Sequence, residues 1–322
     1  MSRIYVHGCG VVSPAGWGVT AFREVLEGVR TLVPGTLERP DGLRRPVFRV
    51  PAPTARPVWL SHARLRRSSP ISHYTVAAAL EALGGSRPAV EGGLGIISCV
   101  MGGSVQYSRR FFGEALADPS TASPLLFPET VFNAPASHLA AVVGTPARND
   151  TCVADESGFL AGLAVAAEWL SREVVGECLV VAAEEADWTT AEAARLFSRR
   201  AVSSEGSSAV WLKREPGPVE LIRITSPQPY VVGRSRSEAI DAVLGELGAC
   251  SGTSWFTHGM KGEAEDRCQM EARFGVGLAA SGGWACVAAI DTLLRGEAGE
   301  ARVGVAGSNL QALGAVFQKS GL

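Results

Sequence analysis

Two stretches of the chain are apolar on every side. In SGFLAGLAVAAEWL, residues 157–170, the side chains of Phe159, Leu160, Leu163, Val165, Trp169 and Leu170 cover all faces of the helix that the spacing predicts. SGGWACVAAIDTLLRG, residues 281–296, repeats the pattern. A helix with no polar face has to be enclosed between layers. Strand-like runs surround both helices. RIYVHGCGVV (3–12), GLGIISCVMGG (93–103), GECLVVAAEEA (176–186) and SSAVWLKRE (207–215) come first. The alternation then restarts with PVELIRITSP (218–227), TSWFTHG (253–259), ARVGVAG (301–307) and LGAVFQK (313–319). Amphipathic spacing predicts further helices over 20–29, 71–83 and 236–247, and a loop entering a helix over 128–144. Residues 30–60, rich in Pro and Arg, read as a surface loop. The expected architecture is α/β, with layers in the order α/β/α/β/α. It is built from two similar halves, 1–216 and 217–322, fused into one unit.

Composition narrows the function. Hydrophobic residues make up 46% of the 322, enough for a large core. The 30 basic and 32 acidic residues leave a net charge of −2, so no nucleic-acid partner is expected. The basic run from Arg64 to Arg67 reads as a solvated segment. No run is long and apolar enough to span a membrane, and MSRIYVHGCGVVSP does not read as a signal peptide, so a cytoplasmic protein is expected. The seven cysteines, Cys9, Cys99, Cys152, Cys178, Cys250, Cys268 and Cys286, show no zinc spacing, and no nucleotide-binding glycine motif is present. Reduced, mostly buried thiols, no metal and no cofactor are therefore expected.

Several stretches, in order, resemble the β-ketoacyl synthase family, which has the thiolase fold. They are GCGVVSPAGWG, GIISCVMGG, FPETVFNAPASHLAAVVGTP, VSSEGSSAVWL, THG at 257–259, GLAASGGWACVAAI at 277–290 and GVAGSN at 304–309. Together they span nearly the whole chain. The resemblance implies a cysteine nucleophile at a helix start, where dipole and free N–H groups favour the thiolate. It also implies two histidines that act on a malonyl thioester.

This chain departs from that pattern. The best register puts Glu156 at the nucleophile position; a shift of one puts Asp155 there, and a slip of four would be needed to use Cys152. His258 stands at the first histidine position. The second holds Leu278, and the chain has no histidine after 258. Arg273 is aligned with the family's lysine, and Val305 replaces the aromatic residue that gates the acyl pocket. Asp155 and Glu156 also read as helix-capping acids, or as an acid/base pair, although neighbours at a helix start point in different directions. His258 reads either as a hydrogen-bonded core histidine or as a remnant of catalysis.

Within this resemblance, V-A-D-E-S-G-F-L-A is similar to the corresponding run of chain length factors, the cysteine-less subunits of type II polyketide systems. That implies a heterodimer with an active ketosynthase, which reaches the acyl carrier protein through the complex. This chain would shape the acyl tunnel for polyketide or fatty-acid-like products, the aryl-polyene type among them. The partner face is expected in FPETVFNAPASHL and in the strand following the buried helix. Phe132, Asn133 and His138 are candidates for tunnel or interface, with ordinary core packing the other reading of each. The alternative is a free-standing enzyme of altered chemistry, such as malonyl-thioester decarboxylation; a free-standing acyl- or carrier-binding protein is a third option.

Overall fold

The computed structural model describes residues 3–86, 93–144, 146–248, 253–260 and 267–321; Cys250 lies outside them. The chain runs β1 (Tyr5–Ser13), β2 (Gly16–Trp17), α1 (Val19–Leu26), β3 (Gly35–Glu38), β4 (Arg44–Phe48), α2 (Pro70–Leu83), β5 (Leu94–Val100), α3 (Val105–Ala117), α4 (Ala134–Val143), β6 (Ala147–Val153), α5 (Gly158–Ser171), β7 (Glu177–Glu184), α6 (Trp188–Phe197), β8 (Ser203–Ser204) and β9 (Gly206–Lys213). It continues with β10 (Val219–Ile224), β11 (Gln228–Pro229), α7 (Arg236–Leu247), β12 (Ser254–His258), β13 (Arg267–Gln269), α8 (Met270–Phe274), α9 (Ala279–Leu294), β14 (Glu300–Ala306) and β15 (Gln311–Lys319).

The main sheet has the strand order β13-β12-β14-β15-β10-β1-β9-β7-β5-β6. Its two flanks meet at a short seam, where only Tyr5 with Glu220 and Val6 with Val219 are paired. The flanks fold over the two apolar helices. α5 packs on β5 and β7, while α9 packs on β12, β14, β9 and β7, and the two helices touch. Period-two alternation explains the layers. Cys178, Val180 and Ala182 of β7 face the central helices, whereas Leu179 and Val181 face the outer layer with residues of α2 and α4. On the other flank, Ala239, Val243 and Leu247 of α7 cover Ala312 and Val316 of β15. The result is the expected α/β/α/β/α stack.

Four details differ from the sequence reading. Residues 30–60 contain a hairpin, β3 with β4, which β8 extends. Pro40-Asp41-Gly42 supplies its turn, and Leu37 and Val47 bury against Ala186 and Ala191. Helices α3 and α6 form in stretches given no element from sequence. α5 is not enclosed all round: Ala164 and Glu168 are exposed, and Val165 and Trp169 half-buried, because the helix lies near the free edge of the sheet. Finally, the strand following that helix, β7, is interior, paired on both sides. It offers no partner face; the free edge is β6, which precedes the helix.

Candidate functional site

Both acids lie at the junction of β6 and α5. Asp155 is 0% exposed and Glu156 1%. They do not cap the helix as the sequence suggested. α5 begins at Gly158, and its N-cap, Ser157, makes no side-chain capping bond. One oxygen of Asp155, Oδ1, accepts the Ser157 N–H (3.1 Å) and hydroxyl (2.8 Å). Its other oxygen accepts the N–H groups of Asn309 (3.0 Å) and Leu310 (2.8 Å). Glu156 Oε2 accepts the Ser308 N–H (2.7 Å), and Oε1 the Ser308 hydroxyl (2.6 Å). The carboxylates thus converge on one loop instead of diverging, and they receive three consecutive backbone N–H groups from it. Burying a carboxylate is costly unless such donors meet it. Gly307 is required beside them, since a Cβ there would collide with the Asp155 carboxylate. Tyr230 holds the loop from its far side: its hydroxyl donates to Gly307 O (3.1 Å) and its N–H to Leu310 O (2.9 Å).

Glu156, but not Asp155, lines a cavity of about 500 Å³ together with His258, Arg200, Arg236, Glu271 and Ser308. His258 ends β12 and is 3% exposed. Among the described residues its expected hydrogen bond is not made. Nε2 lies 4.0 Å from Glu271 Oε2, which instead accepts the Gly259 N–H (3.1 Å). Among the described residues, Nδ1 has no partner. Arg236 donates to Ala306 O (2.9 Å) and lies over the Tyr230 ring.

Leu278 sits at the start of α9 with φ 45° and ψ −125°. Side chains are rarely held there, at a cost of roughly 1–3 kcal/mol. It lines a smaller cavity, about 170 Å³, with Met101, Gly102, Thr190, Ala194 and Phe197. Glu184, which the sequence reading missed, braces this turn. Its carboxyl group accepts the N–H groups of Met101 and Gly102, and the Ala279 N–H lies close enough to oppose the rise in its pKa. Burial pushes its pKa up to about 8. The visible signal was the acid pair closing the apolar run GECLVVAAEEA. Glu185, the second of that pair, is raised to about 7 by burial and accepts from Ser69, Ile71 and Gln106.

The remaining candidates lie elsewhere. Arg273 donates to the Val25 carbonyl (2.9 Å), away from the cavity its alignment implied. Val305 is buried in the core of β14, in register with His258. Phe132, 43% exposed, covers Gly103, and Asn133 is exposed at the start of α4. His138 is buried against Glu129, with Nε2 at 2.9 and 3.0 Å from its carboxylate oxygens. None of these five lines either cavity just described. Cys152 lies within β6, not at the start of α5. Among the described residues no cluster of His, Cys, Asp and Glu could hold a metal, and no helix is long and apolar enough to cross a membrane.

No protein-family model matches the chain, and no curated protein matches it. Solved structures do. The ishigamide ketosynthase/chain length factor superposes with a TM-score of 0.80 at 18% identity, covering 99% of this chain and 100% of that one. The AntDE:AntF structure, a type II polyketide acyl-carrier protein in complex with its ketosynthase, gives 0.82 at 15%, covering 99% of each. A ketosynthase in complex with its chain length factor from Xenorhabdus doucetiae gives 0.78 at 13%, covering 99% and 98%. At these identities the similarity establishes the fold, and the fold is that of the thiolase-like ketosynthases.

Proposed function

We propose that the chain is a catalytically silent, chain-length-factor-like subunit that pairs with an active ketosynthase in type II polyketide or fatty-acid-like biosynthesis in the cytoplasm. The observation that carries this reading is Glu156. It stands beside the start of α5, where the resemblance places a reactive thiol, and both its oxygens are occupied by Ser308. Such a carboxylate binds a loop and offers no nucleophile. Leu278 supplies no proton donor at the second histidine position, so His258 is the one histidine kept of the pair that the resemblance implies.

The surface supports a partner. The free edge of β6 presents unpaired backbone groups. Large apolar side chains are exposed on β6 itself, at Val153 (53%), ahead of α4, which packs on β6, at Phe132 (43%), and on α3 at Phe112 (59%) and Leu116 (86%). Exposed apolar surface of this kind marks interaction sites. In this reading the ketosynthase covers that face, provides cysteine and histidines, and receives acyl chains from the carrier protein. Phe132, Asn133, His138 and Val305 remain our candidates for shaping the tunnel or the contact. Co-expression with a cysteine-bearing ketosynthase should yield a 1:1 complex, whereas the chain alone should aggregate and fail to condense. A stable, soluble monomer that ignores the synthase would refute the pairing.

One observation favours a second reading. His258 lines a cavity, its buried Nδ1 has no partner among the described residues, and its ring could polarise a thioester. In that case the isolated chain should release carbon dioxide from malonyl carrier protein, and His258→Ala should stop it. Against this, the Glu156 carboxylate would repel the malonyl carboxylate.

A further inference from the structure

Cys99 of β5 and Cys152 of β6 are register partners on adjacent parallel strands. Paired strands lie about 4.8 Å apart, within the roughly 4.4–6.8 Å between Cα atoms that a disulfide spans. Both side chains face the α5 side of the sheet. A Cβ on Gly162 of α5 would stand 2.6 Å from Cys99 Sγ, and Cys152 packs against the same central cluster. The two differ in access: Cys99 is fully buried, while Cys152 is half-buried on the edge strand. They also differ in acidity. Interaction between the two neighbouring thiols holds Cys152 below the ordinary thiol range and pushes Cys99 above it, with burial adding to the latter. A half-buried thiol on an edge strand beside a fully buried one in register has the arrangement of an attacking and a resolving cysteine.

We infer that Cys99 and Cys152 form a redox-active dithiol, with Cys152 attacking a small disulfide such as oxidised glutathione and Cys99 resolving the adduct. In the first step the Cys152 thiolate bonds to one glutathione sulfur. The glutathione disulfide breaks, and the departing thiolate takes up a proton equivalent to the one Cys152 released. In the second, Cys99 Sγ attacks Cys152 Sγ. The bond to the remaining glutathione breaks, and that glutathione leaves with the Cys99 proton. The protein loses two hydrogens and the reagent is reduced to two thiols. The new bond ties the free-edge strand to the sheet interior, three residues ahead of Asp155. The inference stands on strand register and not on the partner reading. Where a partner covers β6, the reaction belongs to the unpaired chain.

The test is treatment of the folded, purified chain with oxidised glutathione, followed by thiol titration and non-reducing peptide mapping. The expected result is a loss of two free thiols, a cross-linked peptide pair containing Cys99 and Cys152, no retained glutathione, and full reversal by dithiothreitol. Cys99→Ser, with Cys99→Ala as the second variant, should trap glutathione on Cys152. Cys152→Ser should leave Cys99 unmodified. A stable glutathione adduct on Cys152 of the parent chain with Cys99 still free would overturn the inference. So would recovery of both thiols unmodified from a chain whose circular dichroism confirms it is folded.

Discussion

Ser308 donates to Glu156 from 152 residues further along the chain, and Asn309 and Leu310 donate to Asp155. Two buried anions are therefore tolerated because a loop of the other flank delivers N–H groups to them. Glu156→Gln should lower stability by about 1–3 kcal/mol, the cost of weakening a charge-assisted bond and leaving a buried donor poorly met. Urea denaturation measures it. Leu278 is a separate case. Leu278→Gly relieves a backbone conformation that side chains resist, and should leave stability within about 1 kcal/mol of the parent or raise it. Leu278→Val, β-branched at positive φ, should lower it by about 1–3 kcal/mol. Glu184 and Glu185 make stability depend on pH. Burial raises their folded pKa values, to about 8 and about 7, above the ordinary 4.5. The folded chain then holds these protons more tightly than the unfolded one. Their contribution is complete below pH 4.5 and is lost as pH rises toward 7 and 8. Each group removes on the order of 1 kcal/mol per pH unit in that window. Melting temperature should fall between pH 5.5 and pH 8, in this window, and the slope should shrink in Glu184→Gln.

At the scale of elements, α3 is the informative case. None of its side chains is buried, and Phe112 and Leu116 face outward. Phe112→Glu and Leu116→Glu should leave folding free energy within about 0.5 kcal/mol, since nothing packed is disturbed. They should raise the solubility of the lone chain and abolish co-purification with a ketosynthase. The same exposure explains why this helix was not legible in the sequence: Phe112 and Leu116 point outward, and among the described residues only Phe111 reaches a ring beyond the helix, that of Phe127. The strands and central helices were legible, because burial on both faces writes continuous apolar runs such as LGIISCV and ECLVVAAE. The hairpin of β3 and β4 was obscured by surrounding Pro and Arg, although Pro40-Asp41-Gly42 announced its turn. At the site, the acids at a helix start and the missing second histidine could be read directly. Their target could not, because no local pattern links residues 155 and 156 to a loop at 307–310. Glu184 was hidden for the same reason: its donors come from β5's exit, and the Ala279 N–H that lies close to it comes from α9.

Across the whole molecule, the layered body is that of the thiolase-like ketosynthases, and two buried acids bind a loop at its centre. The short seam between β1 and β10 is reinforced by the two central helices and by the bonds from the acids to the loop beyond β14. On the proposed reading, the position of a reactive site serves as an internal brace, and the edge strand β6 is left for another chain. Intact-mass measurement after incubation with acyl-loaded carrier protein tests this most directly, once with this chain alone and once with a cysteine-bearing ketosynthase present. The account predicts an acyl group on the ketosynthase and none on this chain in either sample. A covalent acyl group on this chain when it is alone would contradict it.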